Sequence, residues 1–135
     1  ESLGPQDLLP GLGDCLKDLK KRGIKIGLAS SSQNASLIIK KLGLESYFEA
    51  MVDPRSLSKG KPDPEIYLKA AAALDLSPAK CAGVEDARAG IEAIEAAGMT
   101  AFALGQSLEQ VPADYHLSST RDLAKVNWDD IVSKE

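Results

Sequence analysis

Apolar and polar positions along the chain follow two alternating periods. Residues 11–22 place Leu12, Cys15, Leu16 and Leu19 at helical spacing with lysines between them, and Gly23 stands where a helix stop belongs. The next run, Ile24-Lys25-Ile26-Gly27-Leu28-Ala29, predicts a strand, and the hydroxyl-rich stretch after it predicts the loop at that strand's C-terminal end. A second helix is predicted over 35–42, stopping at Gly43, and Ala50-Met51-Val52 predicts a short strand ended by Asp53-Pro54. In Lys61-Pro62-Asp63-Pro64, Asp63 suits an N-cap and Pro64 the first helical position, so an Ala-rich helix is expected over 64–74. A strand over 81–85, a helix over 87–97 stopped by Gly98, a strand over Thr100–Leu104 and an edge strand near Tyr115–Leu117 follow, with one or two short helices after Thr120.

This alternation predicts the α/β class, built from βαβ units on a parallel sheet. Composition changes the picture only by exclusion. The 135 residues, 44% hydrophobic and 27% charged, suit one folded domain. Twenty acidic against 16 basic side chains give a net charge of −4, so the basic footprint of a nucleic-acid binder is missing. Neither an apolar run of membrane length nor a signal-peptide pattern is present, and a cytoplasmic protein is expected. Cys15 and Cys81 belong to no C-x-x-C pair and have no neighbouring histidine, which predicts two reduced, largely buried thiols rather than a zinc or redox motif.

Ligands of an open parallel sheet bind at the C-terminal ends of its strands, so the residues just after each strand carry the candidate chemistry. After the first strand come Ser30-Ser31-Ser32-Gln33-Asn34, hydroxyls and an amide at a helix start. They suit an anion, or simply cap the helix. Lys61, between Gly60 and the Pro62-Asp63-Pro64 turn, is either a backbone-fixed counter-charge for a phosphoryl group or a solvated lysine beside a cap. Lys59, in a looser setting, reads as surface. Glu85 and Asp86 are adjacent carboxylates at a strand end. They suit a hard divalent cation such as magnesium, or leave Asp86 as an N-cap and Glu85 in solvent. Taken in order, the three strand ends carry the equipment of phosphoryl transfer.

Three stretches carry a family resemblance: Gly27-Leu28-Ala29-Ser30-Ser31-Ser32-Gln33-Asn34, Gly60-Lys61-Pro62-Asp63-Pro64, and Val84-Glu85-Asp86-Ala87-Arg88-Ala89-Gly90. They resemble the second, third and fourth motifs of the haloacid dehalogenase-like superfamily, most closely its β-phosphoglucomutase group, with support from Asp7-Leu8-Leu9-Pro10-Gly11 and Met51-Val52-Asp53-Pro54. The resemblance implies a three-layer Rossmann-like fold with helices on both faces of the sheet, residues 1–135 forming the C-terminal part of the core domain. It implies that Ser30 binds the transferring phosphoryl group with help from the Ser31 backbone, and that Ser32 and Asn34 hold the substrate's other phosphate. Lys61 would neutralise developing charge, and Glu85 and Asp86 would hold Mg2+. The implied reaction interconverts β-glucose 1-phosphate and glucose 6-phosphate through an aspartyl-phosphate enzyme.

The family's first motif, a strand ending in D-x-D-G-[VT], is absent from these residues, as is the helical cap that follows it. Asp14 and Asp18 lie in a helical pattern and Asp129-Asp130 in the tail. The implied strand order is 3-2-1-4-5, so the absent central strand belongs between the strands at Ile24 and Cys81. Those two strands would then expose backbone donors and acceptors. The expected partners are therefore a sugar phosphate and either an N-terminal segment or another copy that completes the sheet. The chain alone, lacking the nucleophile, is expected to bind phosphate and magnesium without turnover. Two other readings stand beside the mutase: a small-molecule sugar-phosphate phosphatase, and a nonenzymatic phosphate- or metal-binding module. His116 reads as structural or surface, Trp128 as the anchor of a C-terminal helix, and Arg88 as a neighbour that pairs at most with one of the carboxylates.

Overall fold

A computed structural model describes residues 12–30, 34–105, 108, 110–118, 122 and 126. In chain order the elements are α1 (Leu12–Lys21), β1 (Gly27–Leu28), α2 (Ala35–Lys41), β2 (Ala50–Met51), α3 (Glu65–Ala73), β3 (Ala82–Glu85), α4 (Arg88–Ala96), β4 (Thr100–Leu104) and β5 (Tyr115–Leu117). Single 3-10 turns join several of them. Trp128 lies outside the described residues.

All strand pairs among the described residues are parallel. β1 pairs β2, with Gly27 opposite Ala50 and Leu28 opposite Met51. β3 pairs β4 from Ala82 opposite Thr100 to Glu85 opposite Ala103, and β4 pairs β5 from Phe102 opposite Tyr115. Among the described residues no ladder joins β1 to β3, so each of these strands is paired on one side only. Val84, in the middle of β3, is 36% exposed, unlike the covered positions expected of a central parallel strand.

The sheets carry helices on two faces. Gly83, Ala101 and Ala103 face α4 and α3, whose Ile91, Ala93, Ile94, Ile66 and Ala71 form the main core. Small residues on the strands let α4 approach closely. A Cβ built on Gly83 would lie 2.6 Å from Ile94 Cδ1. The alanine run of α3 works the same way, Ala70 and Ala71 being buried. On the opposite face Cys15 of α1 packs with Phe102, flanked by Leu19, Ile24, Ala82 and Leu117, and Phe102 stacks on Tyr115 with centroids 4.7 Å apart. This is the three-layer, Rossmann-like arrangement.

The predicted helix stops are where expected. Gly23, Gly43 and Gly98 all have positive φ, and the chain closes behind them through bonds such as Ile24 N to Leu19 O and Met99 N to Ile94 O. α3 ends without glycine, at Asp75 with φ of 60°. The first strand is shorter than the predicted 24–29. Its ladder starts only at Gly27, because Ile26 N–H is taken by the Glu49 carboxylate at 2.7 Å rather than by a strand carbonyl. That bond, with Lys20 beside it, holds Glu49 below the usual carboxylate range. Both cysteines are free, but only Cys15 is fully buried and Cys81 is half-buried. Burial pushes both thiols up. No helix among the described residues is long and apolar enough to cross a membrane.

Candidate functional site

Glu85 closes β3, and its carboxylate lies against the first turn of α4. Gly90 makes this possible, since a Cβ there would sit 2.0 Å from Glu85 Cδ. Glu85 Oε2 accepts from two donors: the Lys61 ammonium and, at 2.5 Å, the Tyr67 hydroxyl. The ammonium also lies 5.3 Å from the centroid of the Tyr67 ring, within cation–π range. The ion pair is well shielded, with the two side chains 13% and 10% exposed. The Tyr67 phenol is pushed far above its usual range, first by burial and then by the negative charge of Glu85 beside it.

The turn carrying Lys61 is built by its own neighbours. Glu65 accepts from the backbone N–H of Ser58 and of Lys59, the latter at 2.8 Å, and so ties the approach to the turn onto the start of α3. These two backbone bonds lead in holding Glu65 below the ordinary carboxylate range. Asp63 N–H bonds Gly60 O, and Asp63 Oδ1 accepts from Glu65 N–H, the capping bond expected of Asp63 although α3 begins one residue later than predicted. The Lys61–Pro62 peptide is cis. The bonds at Lys59 and Asp63 hold the backbone on both sides of Lys61.

Asp86, next to Glu85, is exposed. It does not cap α4. The N-cap position is Ala87, in extended conformation and without a side-chain bond. Asp86 and the second oxygen of Glu85 have no protein partner among the described residues, whereas Glu85 Oε2 is shared by a lysine and a phenol. Two adjacent carboxylates, one exposed and one with an oxygen not engaged by a described donor, fit magnesium, which takes oxygen ligands and often only one or two from protein. No group of three or more acidic, His or Cys side chains converges among the described residues, so further ligands would be water, substrate or residues elsewhere.

Ser30 and Asn34 line an open cleft of ≈520 Å³ past the C-terminal ends of β1 and β2, together with Met51, Asp53 and Arg55. Lys61, Glu85 and Asp86 do not line it. Asn34 stands at the N-cap position of α2 without a side-chain capping bond. Ser31 and Ser32 lie outside the described residues. Arg88 is exposed and makes no ion pair with Glu85 or Asp86 among them. Lys59 is surface, as read. His116 is exposed on the edge strand β5, with Nε2 2.8 Å from Val111 O. Two participants were not read from sequence. Tyr67 had a usable signal, since a tyrosine at a core position of a helix needs a partner for its hydroxyl. Glu65 had none.

With this geometry in place, comparison with known proteins decides the family. The pattern of the haloacid dehalogenase-like hydrolases matches residues 2–98. The chain belongs to this family. It is 55% identical to the β-phosphoglucomutase of Bacillus subtilis (strain 168) over 121 residues, covering 90% of this chain and 54% of that protein. Hexitol phosphatase B of Escherichia coli (strain K12) is 33% identical over 123 residues, with 86% of this chain and 55% of that protein covered. Among solved structures, the crystal structure of a β-phosphoglucomutase from Clostridium difficile superposes with a TM-score of 0.85 at 34% identity, covering 98% of this chain and 61% of that one. The chain thus spans about half the length of the curated relatives it matches.

Proposed function

We propose that residues 1–135 are the C-terminal part of a haloacid dehalogenase-like core whose reaction is phosphoryl transfer on a sugar phosphate, as in β-phosphoglucomutase. The shielded Lys61–Glu85 pair, with Asp86 beside it at a strand end, supports this reading most. A buried ion pair contributes little net stability compared with apolar packing. Its use lies in exchange: the lysine charge is held ready and moves to a phosphoryl oxygen when one arrives.

In this reading Lys61 neutralises negative charge on the non-bridging oxygens, and the Ser30 hydroxyl donates a hydrogen bond to one of them, with the Ser31 N–H alongside. Ser32 and Asn34 hold the second phosphate of a bisphosphate intermediate. Glu85 and Asp86 hold Mg2+, which supplies further charge neutralisation when bound. The attacking carboxylate is on none of the residues named here. A strand filling the space between β1 and β3, from the rest of the protein or from another copy, completes the sheet and brings that carboxylate. The same partner satisfies the edges of β1 and β3 that no strand among the described residues pairs.

The test is a 31P NMR time course on the full-length protein with β-glucose 1-phosphate and Mg2+. Appearance of glucose 6-phosphate supports the mutase. Release of inorganic phosphate alone supports a sugar-phosphate phosphatase, the second reading, which the similarity to hexitol phosphatase B favours. Neither product, with binding retained, leaves a phosphate- or metal-binding module.

A further inference from the structure

We propose that Tyr67 is a positioning residue that presets the Glu85 carboxylate for a divalent cation and lowers the cost of releasing Lys61. The proposal rests on the reading of Glu85 and Asp86 as the cation site, and deepens it. Tyr67 is 6% exposed, and its hydroxyl has Glu85 Oε2 as its only partner among the described residues. A buried phenol left without a partner is costly, so this bond is held strongly. It holds the carboxylate by Oε2, while Oε1 lies on the side of Gly90. The lack of a Cβ at Gly90 gives that orientation its room.

Consider the moment when Lys61 turns to a phosphoryl oxygen. Without Tyr67 the carboxylate would lose its only donor inside a shielded site, and the exchange would carry a desolvation penalty. With Tyr67 one bond stays in place. Tyr67 thus acts through its two charged neighbours and need not touch substrate.

The experiment uses the full-length protein and Mn2+ alone as probe, with free ion counted by electron paramagnetic resonance in the absence of sugar phosphate. Tyr67→Phe keeps the ring and removes only the hydroxyl. The expected result is a Mn2+ Kd raised on the order of 10-fold, the usual effect of removing a group that orients a ligand. At saturating Mg2+ kcat/KM for sugar phosphate should fall on the order of 10-fold, because Lys61 then leaves a carboxylate short of a donor. Glu85→Gln is run in parallel. If Glu85→Gln weakens Mn2+ and Tyr67→Phe does not, the role of Tyr67 is overturned while the site stands. If Glu85→Gln leaves Mn2+ unchanged, the site assignment itself falls. A kcat/KM unchanged at saturating Mg2+ would overturn the part of the proposal that concerns Lys61.

Discussion

Gly90 offers a sharp test of how the Glu85 arrangement is held. In Gly90→Ala the new Cβ would lie 2.0 Å from Cδ, 2.3 Å from Oε1 and 2.5 Å from Cγ of Glu85, and these are the three nearest atoms. The helix backbone at position 90 is buried and packed, so the Glu85 side chain must swing away from Lys61 and Tyr67. Leaving a shielded charge without its partner costs about 3–5 kcal/mol. Alanine is the better helix former by about 1 kcal/mol. The difference is a loss of about 2–4 kcal/mol, against the usual expectation that glycine to alanine inside a helix stabilises. In a Glu85→Ala background the obstacle is gone, and the same substitution should stabilise by up to about 1 kcal/mol. Urea unfolding of the four proteins in this double-mutant cycle measures the coupling, expected at about 3 kcal/mol or more. If Gly90→Ala had the same effect in both backgrounds, the contact between Gly90 and Glu85 would not be what places the carboxylate.

Other outcomes follow from single bonds. Asp114→Ala removes the carboxylate that accepts from Ala101 N–H at 2.7 Å, where Ala101 is fully buried, so a loss of about 1–3 kcal/mol is expected, with faster amide exchange at Ala101. The Tyr67 phenol is held above its ordinary value near 10, so its contribution is complete below about pH 10 and is lost as pH rises further. The melting temperature of the wild type should therefore fall more steeply above that pH than that of Tyr67→Phe. Glu65 is held below its ordinary value, so its contribution is present above about pH 4.5 and drains away as pH falls. Glu65→Gln should flatten the acid decline of the melting temperature.

Much of the frame was legible because it rests on local rules. The stops at Gly23, Gly43 and Gly98 need a left-handed residue, and the strands at 82–85 and 100–104 are short, mostly apolar runs between turn residues. β1 was read too long. A run of six apolar-rich residues does not reveal that a carboxylate 23 positions away takes the Ile26 N–H and replaces the start of the ladder. Lys61 and Glu85 were each readable as strand-end residues, but their direct pairing comes from how the turn before α3 meets the end of β3. The roles of Tyr67 and Gly90 beside Glu85 depend on the same meeting of elements. Within their own helices they look like an ordinary core tyrosine and an ordinary glycine, and their meaning appears only when Glu85 is placed between them. The cleft beside Ser30 and Asn34 was likewise hidden, since Asp53 and Arg55 enter it through the turn after β2.

The central claim is that Lys61, Glu85 and Asp86 serve one phosphoryl group and one cation, with Ser30 across from them. A crystal structure of the full-length protein grown with Mg2+ and tetrafluoroaluminate tests it most directly. The account predicts the anion between Ser30 and Lys61, the lysine withdrawn from Glu85, and the metal on Glu85 and Asp86, directly or through water. A structure with Lys61 still on Glu85 while anion and metal sit elsewhere would contradict it.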